Sequence, residues 1–231
     1  LKGKVSKDWK KEMQNSDILI HFAAAGVSNK KISYNQAYKF NVKESLKLFE
    51  NAKKNELKKW IIIGSSSEYG STSKKKINTK FKPRPKCNYS KTKYIFSKKI
   101  IEFSKKYRCS CAILRLFPVY GSNEPKHRLY PSLIRSIKSS KNFLLKNGNQ
   151  LNDYSKIDNA VKKIYDYAKY MRRKKNVNQI WHIASGQSLL LRDFVKKIWT
   201  EHNSKAKLKI ISQSDKNLIH HITNQKSIWK I

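Results

Sequence analysis

The chain has 231 residues, 39% of them hydrophobic and 11% aromatic. That is enough apolar material for one full domain with a sizeable core, and it excludes a disordered or low-complexity chain. The formal charge is +37, from 52 Lys and Arg against 15 Asp and Glu, which raises the question of a polyanionic partner.

Of the 52 basic residues, 44 are Lys and 8 are Arg, and they are scattered over nearly every segment. Nucleic-acid readers lean on Arg for bidentate contacts to phosphate and base. No specific nucleic-acid partner is therefore expected, only non-specific, salt-dependent attraction of anions. A dedicated basic nucleic-acid-binding protein stands as the weaker alternative. No apolar run is long enough to cross a bilayer: the best stretch, Ile18 to Val27, is broken by His21, so no membrane partner is expected. No secretory signal peptide is expected. Cys87, Cys109 and Cys111 form neither a disulfide framework nor a zinc spacing. The expected setting is the reduced cytoplasm, with no metal site.

In chain order, apolar strands alternate with amphipathic helices. "DILIHFAAA" (17–25) reads as a buried strand opening into a small-residue loop. Residues 34–54 have helical periodicity, with Ala37, Phe40, Val42, Leu46, Phe49 and Ala52 tending to one side. "KWIIIGSSSEYG" (59–70) is a second buried strand ending in serines, followed by a Lys-, Pro- and Ser-rich loop. Residues 88–107 predict a helix and 110–117 a third strand. This alternation argues for βαβ units and a parallel sheet in an α/β fold. Further on come a helix near 131–139, a short strand-like run in "NFLLKNGNQ", a helix near 158–172, a strand at 178–185 and a helix at 190–201. Trp60, Trp181 and Trp199 are expected in the core, and so is His21; His220 and His221 are expected on the surface, as are the basic runs at 74–76 and 172–175.

Open parallel sheets bind ligands at the carboxyl ends of their strands. Three such ends carry unusual residues: Ala23-Ala24-Ala25-Gly26, then Ser65-Ser66-Ser67-Glu68-Tyr69-Gly70, then Arg115 to Gly121. Small side chains let a flat ligand approach the backbone, and serines supply hydroxyl donors. Tyr89 and Lys93 lie one turn apart on the helix after the second strand. The same Tyr-x-x-x-Lys spacing occurs at Tyr94/Lys98, Tyr165/Lys169 and Tyr170/Lys174, so spacing alone does not single it out. A serine-tipped strand precedes only the first pair.

At these residues the chain resembles the extended short-chain dehydrogenase/reductase family, in particular its NAD(P)-dependent nucleotide-sugar epimerases and dehydratases. "DILIHFAA", "NVKESLKLFENAK", "GSSSEYG", "YSKTK", "LRLFPVYG" and "GNQLNDYSKIDNAVKKI" are similar to successive family motifs and run in the family's order. The resemblance implies part of a Rossmann-like doubly wound parallel sheet with a smaller C-terminal substrate lobe. Residues 1–120 would belong to the dinucleotide-binding domain and 121–231 mainly to the lobe, with 145–185 contributing elements back to the sheet. It implies NAD or NADP as cofactor, a nucleotide-sugar substrate, a place in cell-surface polysaccharide synthesis, and a homodimer through the 34–54 and 88–107 helices. Tyr89 would take a proton from a sugar hydroxyl as hydride leaves the same carbon. The Lys93 ammonium would lower the phenol's pKa and bind the nicotinamide ribose. Ser66 would hydrogen-bond the reacting oxygen, and Glu68 falls where dehydratases keep an acid/base. Ala23, Ala24, Ala25, Asn41, Ser65 and Phe117 would join Tyr89 and Lys93 around the cofactor. Ser67, Arg128 and Asn152 would meet the substrate.

The sequence departs from the family in three places. The strand–glycine-rich-turn–helix that holds the cofactor's pyrophosphate is absent: none of the seven glycines forms Gly-x-x-Gly-x-x-Gly. The family's plan puts roughly 60–70 residues ahead of this match, and the chain opens on Leu1 rather than Met, so a fragment of a longer protein is expected, with an exposed apolar edge on the first strand. Pro118 replaces a usual Asn, and Asn152 replaces the Arg that grips the diphosphate. A noncatalytic remnant of the fold is the alternative these departures raise.

Overall fold

The computed structural model describes residues 9–27, 32–71 and 76–211. His220, His221, Lys74 and Lys75 lie outside them. The first half runs α1 (Lys10–Gln14), β1 (Leu19–His21), α2 (Tyr34–Tyr38), a π-helical stretch (Lys39–Glu44), α3 (Ser45–Lys54), β2 (Lys59–Ser65), a 3-10 turn (Ser66–Tyr69), α4 (Asn88–Lys106) and β3 (Ser110–Leu116). The second half runs β4 (Val119–Tyr120), α5 (Leu129–Lys138), β5 (Phe143–Lys146), β6 (Leu151–Asp153), β7 (Ser155–Lys156), α6 (Ile157–Arg173), β8 (Asn178–Ile183), β9 (Ser188–Leu190), α7 (Leu191–Glu201) and β10 (Leu208–Ile211).

The central sheet has the order β1-β2-β3-β8, and every pair in it is parallel. Its two inner strands are apolar on both faces, as a sheet covered on both sides requires. Alternation along them divides the core. Trp60, Ile62, Cys111 and Ile113 pack with Val42, Phe49, Phe96 and Ile100 under the helices on one face. Ile61, Ile63, Ala112 and Leu114 pack with Ala160, Ile164, Tyr167 and Met171 of α6 on the other. The sheet is thus doubly wound.

A third cluster, built on Leu133, Leu145, Phe194, Val195, Ile198 and Trp199, is the core of a smaller lobe. There β5 pairs with β10 and β6 with β9. Within 145–185, α6 packs on the main sheet and β8 joins it, while β5 and β6 pair inside the lobe. One helical periodicity was expected over 34–54, yet Phe40 is 51% exposed while Asn41 is 2% exposed. The π-helical stretch is the reason: its i→i+5 bonding inserts a residue into the turn and rotates Phe40 off the buried stripe.

Candidate active site

The register brings three strand ends to one level, with Ser65 of β2 opposite Leu116 of β3 and Leu116 opposite Ile183 of β8. A cavity of about 860 Å³ opens there. Among the residues expected at a site, Ala24, Ser65, Ser66, Ser67, Tyr89, Lys93, Phe117 and Arg128 share its wall. The competing Tyr-x-x-x-Lys pairs do not. Lys169 and Lys174 instead lie over the rings of Tyr165 and Tyr170, at 5.0 and 5.8 Å from the centroids.

Tyr89 is placed by the start of its helix. Cys87 caps α4: its N–H donates to Ser90 Oγ (3.1 Å) and its Sγ accepts the Ser90 N–H (3.5 Å). Tyr89 therefore falls in the first turn and Lys93 one turn later, on the same side. The loop after β1 lies against that turn at Gly26, whose φ is +87° and whose added Cβ would sit 3.5 Å from Tyr89 Cβ. On the facing strand end, the Ser65 hydroxyl hydrogen-bonds Ser67 Oγ (2.8 Å) and accepts the Ser67 N–H (3.2 Å), which turns the serines into the 3-10 turn.

The electrostatics differ from the expected arrangement. Burial pushes the Tyr89 phenol above its ordinary pKa, against a lowering hydrogen bond with the Ser65 side chain. Lys93 is 2% exposed, and its Nζ donates to the Ile63 carbonyl at 2.6 Å. Burial lowers its pKa to about 8, against the opposing attraction of Glu68. The ammonium is therefore anchored to the strand backbone, and the expected lowering of the phenol by Lys93 is not what governs Tyr89 here.

Several expected residues stand elsewhere. Glu68 is fully buried and off the cavity wall. Its Oε2 takes Arg115 Nε (3.1 Å) and Nη2 (3.0 Å), and its Oε1 accepts the Ser65 N–H (2.9 Å). Both oxygens are committed, so the acid/base role expected for Glu68 does not fit its position. Asn41 braces rather than lines: its side chain bonds the Ala25 N–H (2.7 Å), the Ala25 carbonyl (3.0 Å) and Thr92 Oγ1 (3.0 Å). Ala23 is exposed and, like Ala25, off the wall. Asn152 lies in an adjoining cavity of about 500 Å³, with its Nδ2 on Tyr154 Oη at 3.0 Å. Arg128 lines both cavities, and its Nε pairs with Glu124 Oε2 at 3.1 Å.

Two carboxylates on the main wall were not singled out beforehand, Glu124 and Asp158. Asp158 lies within the last family-like motif and was legible there; nothing in the local sequence marked Glu124. Among the described residues no group of His, Cys, Asp and Glu is arranged to hold a metal. No helix among them is long and apolar enough to cross a membrane.

The profile of the NAD dependent epimerase/dehydratase family matches residues 4–184. An uncharacterized protein of Methanocaldococcus jannaschii, MJ1055, is 24% identical over 227 residues; the match covers 92% of this chain and 66% of that one. The fold is similar to UDP-N-acetylglucosamine 4-epimerase from Methanobrevibacter ruminantium M1, at TM-score 0.84 and 22% identity over 97% of this chain and 73% of that one. It is also similar to UDP-glucuronic acid 4-epimerase from Bacillus cereus, solved with UDP-glucuronic acid and NAD, at 0.80 and 21% over 96% and 71%. A third likeness is to dTDP-glucose 4,6-dehydratase from Bacillus anthracis str. Ames, solved with NAD, at 0.77 and 18% over 97% and 70%. The chain thus spans about two thirds to three quarters of these relatives. With the parallel sheet, the serine-tipped strand and the Tyr89–Lys93 turn in place, the chain belongs to the NAD-dependent epimerase/dehydratase family.

Proposed function

We propose that the protein is a nucleotide-sugar oxidoreductase of the epimerase type, working with NAD or NADP. The observation that carries this is the meeting of Ser66, Tyr89 and Lys93 on one cavity wall at the carboxyl ends of parallel strands. The small residues Ala24 and Gly64 beside these polar groups fit the nicotinamide–ribose end of the cofactor. A glycine-rich phosphate cradle is not among the 231 residues. When bound, NAD supplies the hydride acceptor. Tyr89, as its phenolate, would take the proton of the sugar hydroxyl, and Ser66 would hold that hydroxyl oxygen. Burial by itself opposes the phenolate; the Lys93 ammonium one turn away, together with the positive charge of a bound nicotinamide, would favour it. The adjoining cavity, with Arg128, Lys146 and His127 on its wall, suits the nucleotide diphosphate.

On this reading residues up to about 120 hold the cofactor and the lobe holds the substrate. UDP-sugars, with which these two 4-epimerases were solved, are the first substrates to try. A homodimer through the faces of α2–α3 and α4, a cytoplasmic setting and a role in polysaccharide synthesis belong to the same proposal. The test is turnover of UDP-glucose, UDP-N-acetylglucosamine and UDP-glucuronic acid with NAD, using protein from the whole reading frame. Tyr89→Phe is expected to lower turnover at least about a hundredfold while leaving UDP-sugar binding intact. Unchanged turnover in that variant would sink the assignment.

A further inference from the structure

Beneath the cavity lies a buried cluster that the reaction does not use. Glu68 is 0% and Arg115 2% exposed. Arg115 sits on β3 two residues beyond Ile113, so it faces the α4 side of the sheet. Its guanidinium lies 4.5 Å from the centroid of the Tyr69 ring, whose hydroxyl meets His182 Nε2 at 2.6 Å. Glu68 has its Oε2 on Arg115 and its Oε1 on the Ser65 N–H. Space for that carboxylate is reserved by Gly64: a Cβ there would lie 2.9 Å from Glu68 Oε1 and 3.1 Å from Arg115 Cγ. Ser65 in turn lines the cavity wall together with Tyr89.

We infer that Glu68 is a positioning residue: its carboxylate ties Arg115 of β3 to the Ser65 N–H and so sets the serine turn against the Tyr89 phenol. A bare buried ion pair is a poor source of stability, and an apolar pair of the same volume often replaces it without loss. What an apolar pair cannot supply is an acceptor aimed at the Ser65 N–H. Arg115, Glu68 and the Ser65 N–H are joined by directed hydrogen bonds, and Ser65 shares the cavity wall with Tyr89. The inference rests on the reading of Tyr89 as the reacting group, but its test needs no turnover.

The experiment removes both charges and varies only the acceptor. In an Arg115→Met background, Glu68→Gln keeps an oxygen for the Ser65 N–H, and Glu68→Met does not. Ser65 amide exchange and the titration of the Tyr89 phenol are followed by NMR, with Tyr89→Phe assigning the signal. The charged or titratable neighbours of the phenol are Glu68, Cys87 and Arg128, with Lys93 on the same wall; only Glu68 changes between the two variants. Gln is expected to keep the parent's slow Ser65 exchange. Met is expected to speed it at least about tenfold and to raise the phenol midpoint by about half a unit as the Ser65 hydroxyl shifts away from the phenol. A single Glu68→Asp, which keeps the charge but withdraws the oxygen by one methylene, is expected to speed Ser65 exchange as well. Equal exchange and equal midpoints for Gln and Met would overturn the inference, and so would an unchanged Ser65 rate in Glu68→Asp. If Gln and Met differ as stated while no UDP-sugar is ever turned over, the positioning role stands and the catalytic reading of Tyr89 falls.

Discussion

Lys93 shows what the site costs the fold. It is an ammonium in a nearly water-free position, with the Ile63 carbonyl as its hydrogen-bond acceptor. Burial favours its neutral form, so its folded pKa is about 8 against an ordinary 10.5. Between those values the unfolded chain binds more protons, so stability rises with pH across that window, and below it the penalty is fully present. The size is on the order of 3 kcal/mol. Lys93→Met is therefore expected to be more stable than the parent at pH 7, by roughly 1–3 kcal/mol, with the gap closing between pH 8 and 10.5. Urea titrations of both proteins across that range check it. A gain in stability from removing this lysine is what a residue kept for chemistry predicts; a lysine kept for packing predicts a loss.

At the scale of elements, the loop after β1 is held to α4 by one side chain. Asn41 reaches from the π-helical stretch to both backbone groups of Ala25 and to Thr92 Oγ1, and Thr92 bonds back to the Asn88 and Tyr89 carbonyls. The i→i+5 turn is what aims Asn41 inward and Phe40 out. Asn41→Ala leaves the Ala25 N–H and carbonyl without these partners in a part-buried place. It is expected to cost about 2–3 kcal/mol and to speed amide exchange at Ala25 while the sheet amides stay protected. Denaturant titration and hydrogen exchange measure the two halves of that statement. A loss of cofactor affinity without a loss of stability would instead make Asn41 a direct cofactor ligand.

For the whole molecule, charge and edge are the governing features. The lysines do not form a stripe in the sequence, and no nucleic-acid-reading element stands out among the described residues. A charge of +37 still attracts polyanions by counterion release. Binding to an unrelated RNA is expected at about 50 mM salt and to vanish by about 200 mM, as filter binding or fluorescence anisotropy reads. Affinity that survives and prefers one sequence would point to a nucleic-acid function instead. On the other flank, β1 pairs only with β2 among the described residues, and Ile20 in it and Phe22 just after it are 36% and 59% exposed. Parallel sheets rarely leave such an edge open, and an open apolar edge invites pairing with another strand.

The sequence by itself determined the alternation of strands and helices and the buried parallel strands, and it picked out Tyr89–Lys93 as the candidate among four equally spaced pairs. Those are read from periodicity, from a continuous apolar run such as "WIIIG" and from a serine-tipped strand, all of them local patterns. Only the tertiary structure decided where Glu68 points, because its partner Arg115 is 47 residues away and a carboxylate looks the same in sequence whether it faces a cavity or an arginine. Only the tertiary structure exposed Phe40, because a π turn leaves no periodic signature that a helical reading recognises. The upward direction of the Tyr89 pKa likewise depends on three-dimensional neighbours. Spacing put a lysine one turn away, but burial of the phenol and the pull of the Ile63 carbonyl on Lys93 depend on neighbours brought together by the fold.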